Sequence, residues 1–205
     1  MAAESTAEPT AEPTWDAVVL AGGEARRLGG MDKPALVIGG TSLLDVALAA
    51  CTGARIRVVV GPRRPTTESV EWTREDPPGS GPLAALGAGI AALPGGSDAV
   101  VVLAADLPSV DAALVGQLLA AVQAQREVDG AIVVDAQGRA QPLLAAYRRR
   151  PLERAVDALG VLRDKPVNDL LDLLALSEIV AADAAADIDT PADLARWSRD
   201  RHGRP

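Results

Sequence analysis

The chemistry-bearing residues of this 205-residue chain concentrate in residues 20–33, Leu20-Ala21-Gly22-Gly23-Glu24-Ala25-Arg26-Arg27-Leu28-Gly29-Gly30-Met31-Asp32-Lys33. Gly22, Gly23, Gly29 and Gly30 let the backbone approach a ligand closely and adopt positive φ. Successive N–H groups exposed in this way form a nest for phosphate oxygens. Arg26, Arg27 and Lys33 add cationic donors to a chain whose formal net charge is −8. Arginine grips phosphate through paired hydrogen bonds, and lysine contributes a mobile point charge. The spacing matches neither G-x-x-x-x-G-K-[ST] nor G-x-G-x-x-G. A phosphate-binding loop of another kind is expected.

Carboxylates supply the second half of the chemistry. Asp106 follows an apolar run in Ala104-Ala105-Asp106-Leu107-Pro108, and its side chain is a hard oxygen ligand of the type Mg²⁺ prefers. An aspartate before proline also suits a plain turn. Two scarcities remove other mechanisms. Cys51 is the single cysteine and lies in an apolar helical pattern, so a buried structural thiol is expected. His202 is the single histidine, three residues from the end, which argues against Ser-His or Cys-His catalysis and histidine-ligated zinc. Carboxylate, lysine, arginine and backbone chemistry remain, and they suit phosphate and magnesium.

The elements that must position these groups follow from periodicity and punctuation. Residues 16–21 read as a short buried strand stopped by Gly22-Gly23. Residues 42–52 have helical spacing, 55–60 form a second strand ended by Gly61-Pro62, and 69–72 a shorter third. Residues 81–93 are an alanine-rich helix with Pro82 in its first turn. Residues 99–104 are the clearest central strand, followed by a helix over 111–125 capped by Ser109 or Asp111. Strands at 130–134 and 142–147 flank a turn at 135–138, and helices follow at 151–159, at 167–174 and from Pro191. The alternation predicts a three-layer α/β/α, Rossmann-like domain with a mainly parallel sheet and a small antiparallel extension. In such sheets ligands bind outside the carboxyl ends of the strands, which selects the loops after Ala21, Val60 and Ala104.

Composition bounds the rest. Hydrophobic residues make up 48% of the chain and Phe is absent, so the core must be aliphatic, as buried parallel strands allow. The acidic balance argues against nucleic acid and anionic membranes as partners. No apolar run approaches a membrane span and no export signal is seen, so a cytoplasmic location is expected. One domain over 15–200 is expected, with a solvated, disordered tail at 1–14 and a short tail at 201–205.

Residues 20–33 resemble the signature of the molybdenum cofactor guanylyltransferase family, within the wider sugar-nucleotidyltransferase-like superfamily: L-A-G-G, three residues, R, a hydrophobe, G, and a D-K ending. The resemblance covers 15–119 well and implies the nucleotidyltransferase fold. It implies that Leu20, Ala21 and Gly22 contact the nucleotide through the backbone, with Gly23 in the same loop, and that Lys33 and Arg27 neutralise phosphates. It places the Mg²⁺ ligand at Asp106 and a nucleotide contact at Asp76, ahead of Gly81-Pro82-Leu83-Ala84. After the second strand the family often has asparagine. Here Gly61 leaves only a backbone role. Relatives have His-Pro where this chain has Gln141-Pro142, and Asp187 and Asp189 replace the asparagines of an N-x-N-T-P motif.

The implied reaction is Mg²⁺-dependent transfer of GMP from GTP to the terminal phosphate of molybdopterin, with release of pyrophosphate. GTP and molybdopterin would be the small-molecule ligands, with transient contact to cofactor-synthesis or acceptor enzymes. Three other readings stay open at this point. They are a cytidylyltransferase on the same pterin, a sugar-phosphate nucleotidyltransferase, and a non-catalytic nucleotide-binding protein of the same fold.

Overall fold

A computed structural model describes residues 13–22 and 32–186, together with Trp197. In chain order the elements are β1 (Trp15–Leu20), β2 (Val37–Ile38), β3 (Thr41–Ser42), α1 (Leu43–Ala50), β4 (Arg57–Val60), β5 (Glu71–Thr73), α2 (Pro82–Ala92), β6 (Ala99–Ala104), α3 (Ala112–Ala124), β7 (Gly130–Val134), β8 (Ala140–Arg148), α4 (Arg149–Leu159) and β9 (Leu176–Val180). Among the described residues, 3₁₀ turns occupy Lys33–Ala35 and Val167–Leu173.

Seven strands form one sheet in the order β5-β4-β1-β6-β8-β7-β9. β1 lies between β4 and β6 and pairs parallel with both, Val19 facing Val59 on one side and Leu103 on the other. β1, β4 and β6 are nearly continuous runs of valine, alanine and leucine because both of their faces are covered. Ala17 and Val19 pack with α1 and α3, whereas Val18 and Leu20 pack with α2 and α4. The three layers follow from that alternation. α2 comes very close to the sheet at Gly89, where a Cβ would run into the side chains of Val18 and Val60.

Local signals set the helix starts. The Ser42 hydroxyl accepts from the Asp45 backbone N–H (3.0 Å) and begins α1. Asp111 accepts from the Leu114 N–H (2.9 Å) and begins α3. Pro82 occupies the first turn of α2 after Gly81. The Asp135 carboxylate accepts from the N–H groups of Gln137 and Arg139, both at 2.9 Å, and so shapes the turn between β7 and β8.

Three details differ from the sequence-based expectation. The antiparallel part is β8, which lies between β6 and β7 and starts at Ala140 rather than 142. Residues 167–173 wind as a 3₁₀ turn, with i→i+3 bonds from Asp169 to Pro166 and from Leu174 to Leu171. So short a segment gains too little from α-helical propagation to offset nucleation. β9 was not foreseen. It is a half-exposed edge strand, parallel to β7, whose Leu-Ser-Glu-Ile-Val carries only a weak apolar pattern. Residues 1–12, the expected helix from Pro191 and the tail at 201–205 lie outside the described residues.

At the amino end of the parallel strands a buried ion cluster joins the layers. Asp16 is fully buried, with Oδ2 3.2 Å from Nη1 of Arg149 and Oδ1 3.3 Å from Nε of Arg55. The Arg55 contact has ion-pair distance without hydrogen-bond geometry, so Asp16 Oδ1 lacks a hydrogen-bond donor. Arg149 also donates to the carbonyls of Pro94 (2.6 Å) and Leu93 (3.3 Å), to Ser97 Oγ (3.0 Å) and to Glu153 (2.7 Å). Among the described residues no helix is long and apolar enough to cross a membrane.

Candidate active site

The chain leaves β1 toward β4 on one side and returns to β6 on the other, so strand order reverses beside the carboxyl end of β1. A crevice at such a switch point is where an open α/β sheet binds its ligand. The backbone around it is tightly tied. The Ala105 N–H donates to the Leu20 carbonyl (3.0 Å), the Ala21 N–H to the Val60 carbonyl (2.8 Å), and the Gly61 N–H to the Thr73 carbonyl (3.0 Å). Leu20 and Ala21 are buried and Gly22 is exposed.

Gly61 explains why no side chain follows β4. Its φ is +145°, and a Cβ there would stand 2.7 Å from the Ala21 carbonyl oxygen and 2.8 Å from its carbon. The ends of β1 and β4 approach too closely for an asparagine on this backbone.

Across the crevice, Lys33 and Asp106 meet. Lys33 begins the 3₁₀ turn Lys33–Ala35, and Asp106 lies in the turn Ala105-Asp106 that directly follows β6. Lys33 Nζ lies 3.8 Å from Asp106 Oδ2, with both side chains partly buried. Partial burial lowers the effective dielectric and strengthens their action on a charged ligand. Asp106 offers one hard oxygen donor, and no cluster of three or more His, Cys, Asp or Glu side chains suited to a metal occurs among the described residues. That donor set fits Mg²⁺, which binds through one or two carboxylates and takes its other ligands from phosphate and water. It does not resemble an all-protein cage.

The turn after β5 presents its carboxylates unevenly. Asp76 is exposed, whereas Glu75 is buried, with Oε1 accepting from the Gly79 N–H (2.8 Å) and Oε2 without a protein partner. Sequence reading singled out Asp76 and passed over Glu75. The loop after α4 leans on this segment, since the Asp164 N–H donates to the Ser80 carbonyl (2.9 Å). Lys165, in the same loop, donates its ammonium to the Leu159 carbonyl (2.6 Å) and caps α4.

Because β8 runs antiparallel to β6, with Leu144 opposite Leu103, its first residues pass the carboxyl end of β6 on the side of Asp106. Gln141 stands there, its amide donating to Asp135 Oδ2 (3.3 Å) and to the Arg139 carbonyl (3.3 Å). The Arg139 backbone N–H, aided by its guanidinium and the Gln137 N–H, holds the Asp135 carboxyl below the usual aspartate range. Arg139 Nε is 2.7 Å from that carboxylate. This hairpin end is a charged, hydrogen-bonded rim.

Sequence reading also missed Arg64, in the loop after β4. Its guanidinium is nearly buried and touches Asp32, Ala21 and Pro62. The signal was present: Arg63-Arg64 follows Gly61-Pro62 in one of the three loops selected by strand order, in a chain of acidic balance. Gly23 and Arg27 lie outside the described residues, as do Asp187, Asp189 and His202. Leu20, Ala21, Gly22, Lys33, Gly61 and Asp106 are brought to one end of the sheet.

Comparison with known proteins bears on the family and the fold. The sequence profile described as "MobA-like NTP transferase domain" matches residues 17–179. A Mycobacterium marinum protein named "Probable molybdenum cofactor guanylyltransferase" is 34% identical over 194 residues, covering 90% of this chain and 94% of that protein. A Mycobacterium tuberculosis protein of the same name is 37% identical over 175 residues, covering 82% and 84%. The crystal structure of molybdopterin-guanine dinucleotide biosynthesis protein A from Archaeoglobus fulgidus superposes with a TM-score of 0.70 at 20% identity, covering 92% of this chain and all of that one. At that identity the superposition bears on the fold alone.

Proposed function

Because this chain belongs to the MobA-like NTP transferase family and is thus a nucleotidyltransferase, we propose that it transfers GMP from GTP to the terminal phosphate of molybdopterin, releasing pyrophosphate. The observation that carries the reading is the pairing of Lys33 with Asp106 across the switch-point crevice, at 3.8 Å. A cation from the β1 side and a carboxylate from the end of β6 are what a metal-bound triphosphate needs. The names of the mycobacterial relatives support guanine and the molybdenum cofactor as substrates.

An ionised phosphate on the acceptor is already a nucleophile, so attack on the α-phosphorus of GTP needs no histidine base. The P–O bond to the acceptor forms as the bond to the β-phosphate oxygen breaks, and the electron pair leaves with pyrophosphate. Catalysis then rests on alignment and charge neutralisation. The exposed backbone at Gly22 receives the nucleotide, with Gly23 continuing that role. Lys33 and Arg27 offset charge on the phosphates, and Asp76 contacts the nucleotide from the turn after β5. Asp106 would hold Mg²⁺, which when bound neutralises and polarises phosphoryl oxygens. The rim of Asp135, Arg139 and Gln141 faces the side left for the acceptor.

Calorimetric titration with GTP, CTP, ATP and UTP, with and without Mg²⁺, tests the nucleotide half on the intact chain and on Asp106→Ala. Mg²⁺-dependent binding of GTP alone, lost in the variant, is expected. A preference for CTP would replace guanine by cytosine, and binding of no nucleotide would overturn the reading.

A further inference from the structure

Arg64 makes a set of contacts that joins both flanks of the glycine-rich segment. Its Nη1 donates to the carbonyl of Ala21 (2.8 Å) and to that of Pro62 (2.9 Å). Its Nε donates to both carboxylate oxygens of Asp32 (2.9 and 2.8 Å), and Nη2 lies 2.7 Å from Asp32 Oδ1. Ala21 is where the chain leaves β1, and Asp32 is the residue before Lys33. One side chain therefore ties the exit of β1, the loop after β4 and the approach to Lys33.

We propose that Arg64 is a positioning residue for nucleotide binding: by fastening Asp32 to the carboxyl end of β1 it sets where Lys33 stands in the crevice. The inference rests on the nucleotidyltransferase reading above. The tie reaches Lys33 through a short rigid path. The Ala35 N–H donates to the Asp32 carbonyl and the Leu36 N–H to the Lys33 carbonyl, both at 3.0 Å, so Asp32 and Lys33 move as one turn. Pro34, buried within that turn, restricts it further.

Two features argue against Arg64 as a direct phosphate ligand. Its Nε, Nη1 and Nη2 are all engaged by protein oxygens, with only 10% of the side chain exposed. The Asp32 carboxylate beside it would also repel a phosphate approaching that face. The fork geometry explains the residue type: only a guanidinium can serve a carboxylate along one edge while its other nitrogen reaches two carbonyls. Holding the flanks of a ligand-binding segment in place before binding reduces the ordering that the ligand must impose.

Mg²⁺-GTP affinity, measured calorimetrically well below every melting midpoint, tests the inference on the full chain and on Arg64→Met, Arg64→Lys, Asp32→Asn and the Arg64→Met/Asp32→Asn double variant. Each single variant is expected to raise Kd about tenfold, with lysine failing to restore it. The double variant is expected to be no weaker than the worse single one, because both changes break the same tie. A merely structural pair would lower the melting temperature and leave Kd unchanged in all variants, which would overturn the inference. So would normal or tighter binding by Asp32→Asn beside weak binding by Arg64→Met, since Arg64 would then be a ligand. Asp32 is exposed, so Asp32→Asn is expected to fold even if Arg64→Met does not. Failure of the wild-type chain to bind GTP is a separate result: it removes the nucleotide reading, and this inference with it.

Discussion

Replacing Gly61 by alanine adds one methyl group where the ends of β1 and β4 touch. At φ +145° an L side chain is strained, a cost of about 1–3 kcal/mol. The added Cβ would stand 2.7 Å from the Ala21 oxygen, 2.8 Å from its carbon and 3.0 Å from the Gly22 nitrogen. These are backbone atoms, so no rotamer change relieves the overlap. The strands must separate, breaking the Ala21–Val60 hydrogen bond or the Arg64 contact to Ala21. Overpacking of this kind costs about 1–3 kcal/mol, so with the strain a combined loss of about 2–6 kcal/mol is expected. For a domain of this size that lowers Tm by roughly 4–24 °C. Urea titration of Gly61→Ala should show a lower midpoint at unchanged slope, and the folded variant should bind GTP more weakly than wild type. Gly61→Asn should behave worse still. Wild-type stability and affinity in both variants would refute the claim that the approach of these strand ends excludes a side chain.

Three other outcomes follow from the same structure. Arg149→Met leaves Asp16 buried with only the off-axis Arg55 contact, and should cost about 3–5 kcal/mol in urea unfolding; a loss under about 1 kcal/mol would show the cluster to be dispensable. Burial pushes the Cys51 thiol up to about 12, so the thiolate that reacts is scarce at pH 8; a colorimetric disulfide reagent should modify the denatured chain at once and the native chain hardly at all. Lys33→Gln removes the cation facing Asp106 and should raise the Kd for Mg²⁺-GTP by about tenfold to a hundredfold, with Tm nearly unchanged; calorimetry with a melting control decides it.

The central fold was legible because its strands are extreme cases. Ala99–Ala104 and Arg57–Val60 are buried on both faces and therefore nearly free of polar residues, and glycine or proline punctuates their ends. β9 was not legible, because an edge strand with one exposed face needs few apolar residues and Leu-Ser-Glu-Ile-Val shows no clear alternation. At the site, Lys33 and Asp106 could be found from residue type and their place after strands. Arg64 and Glu75 could not be assigned, since their meaning lies in what their side chains touch: Asp32 and Ala21 for one, the Gly79 N–H for the other. The reason for Gly61 was equally hidden. A missing asparagine reads as a lost contact in sequence and as a steric requirement in three dimensions.

The transfer reaction itself is the most direct test. The purified chain is incubated with Mg²⁺, molybdopterin and each nucleoside triphosphate in turn, with pyrophosphate quantified and the pterin product weighed by mass spectrometry. Pyrophosphate release with GTP, matched mole for mole by a pterin heavier by one guanylyl residue (GMP less water) and abolished in Asp106→Ala, is the expected result. GTP binding without pyrophosphate release, or transfer from a different nucleotide alone, would contradict the proposed reaction.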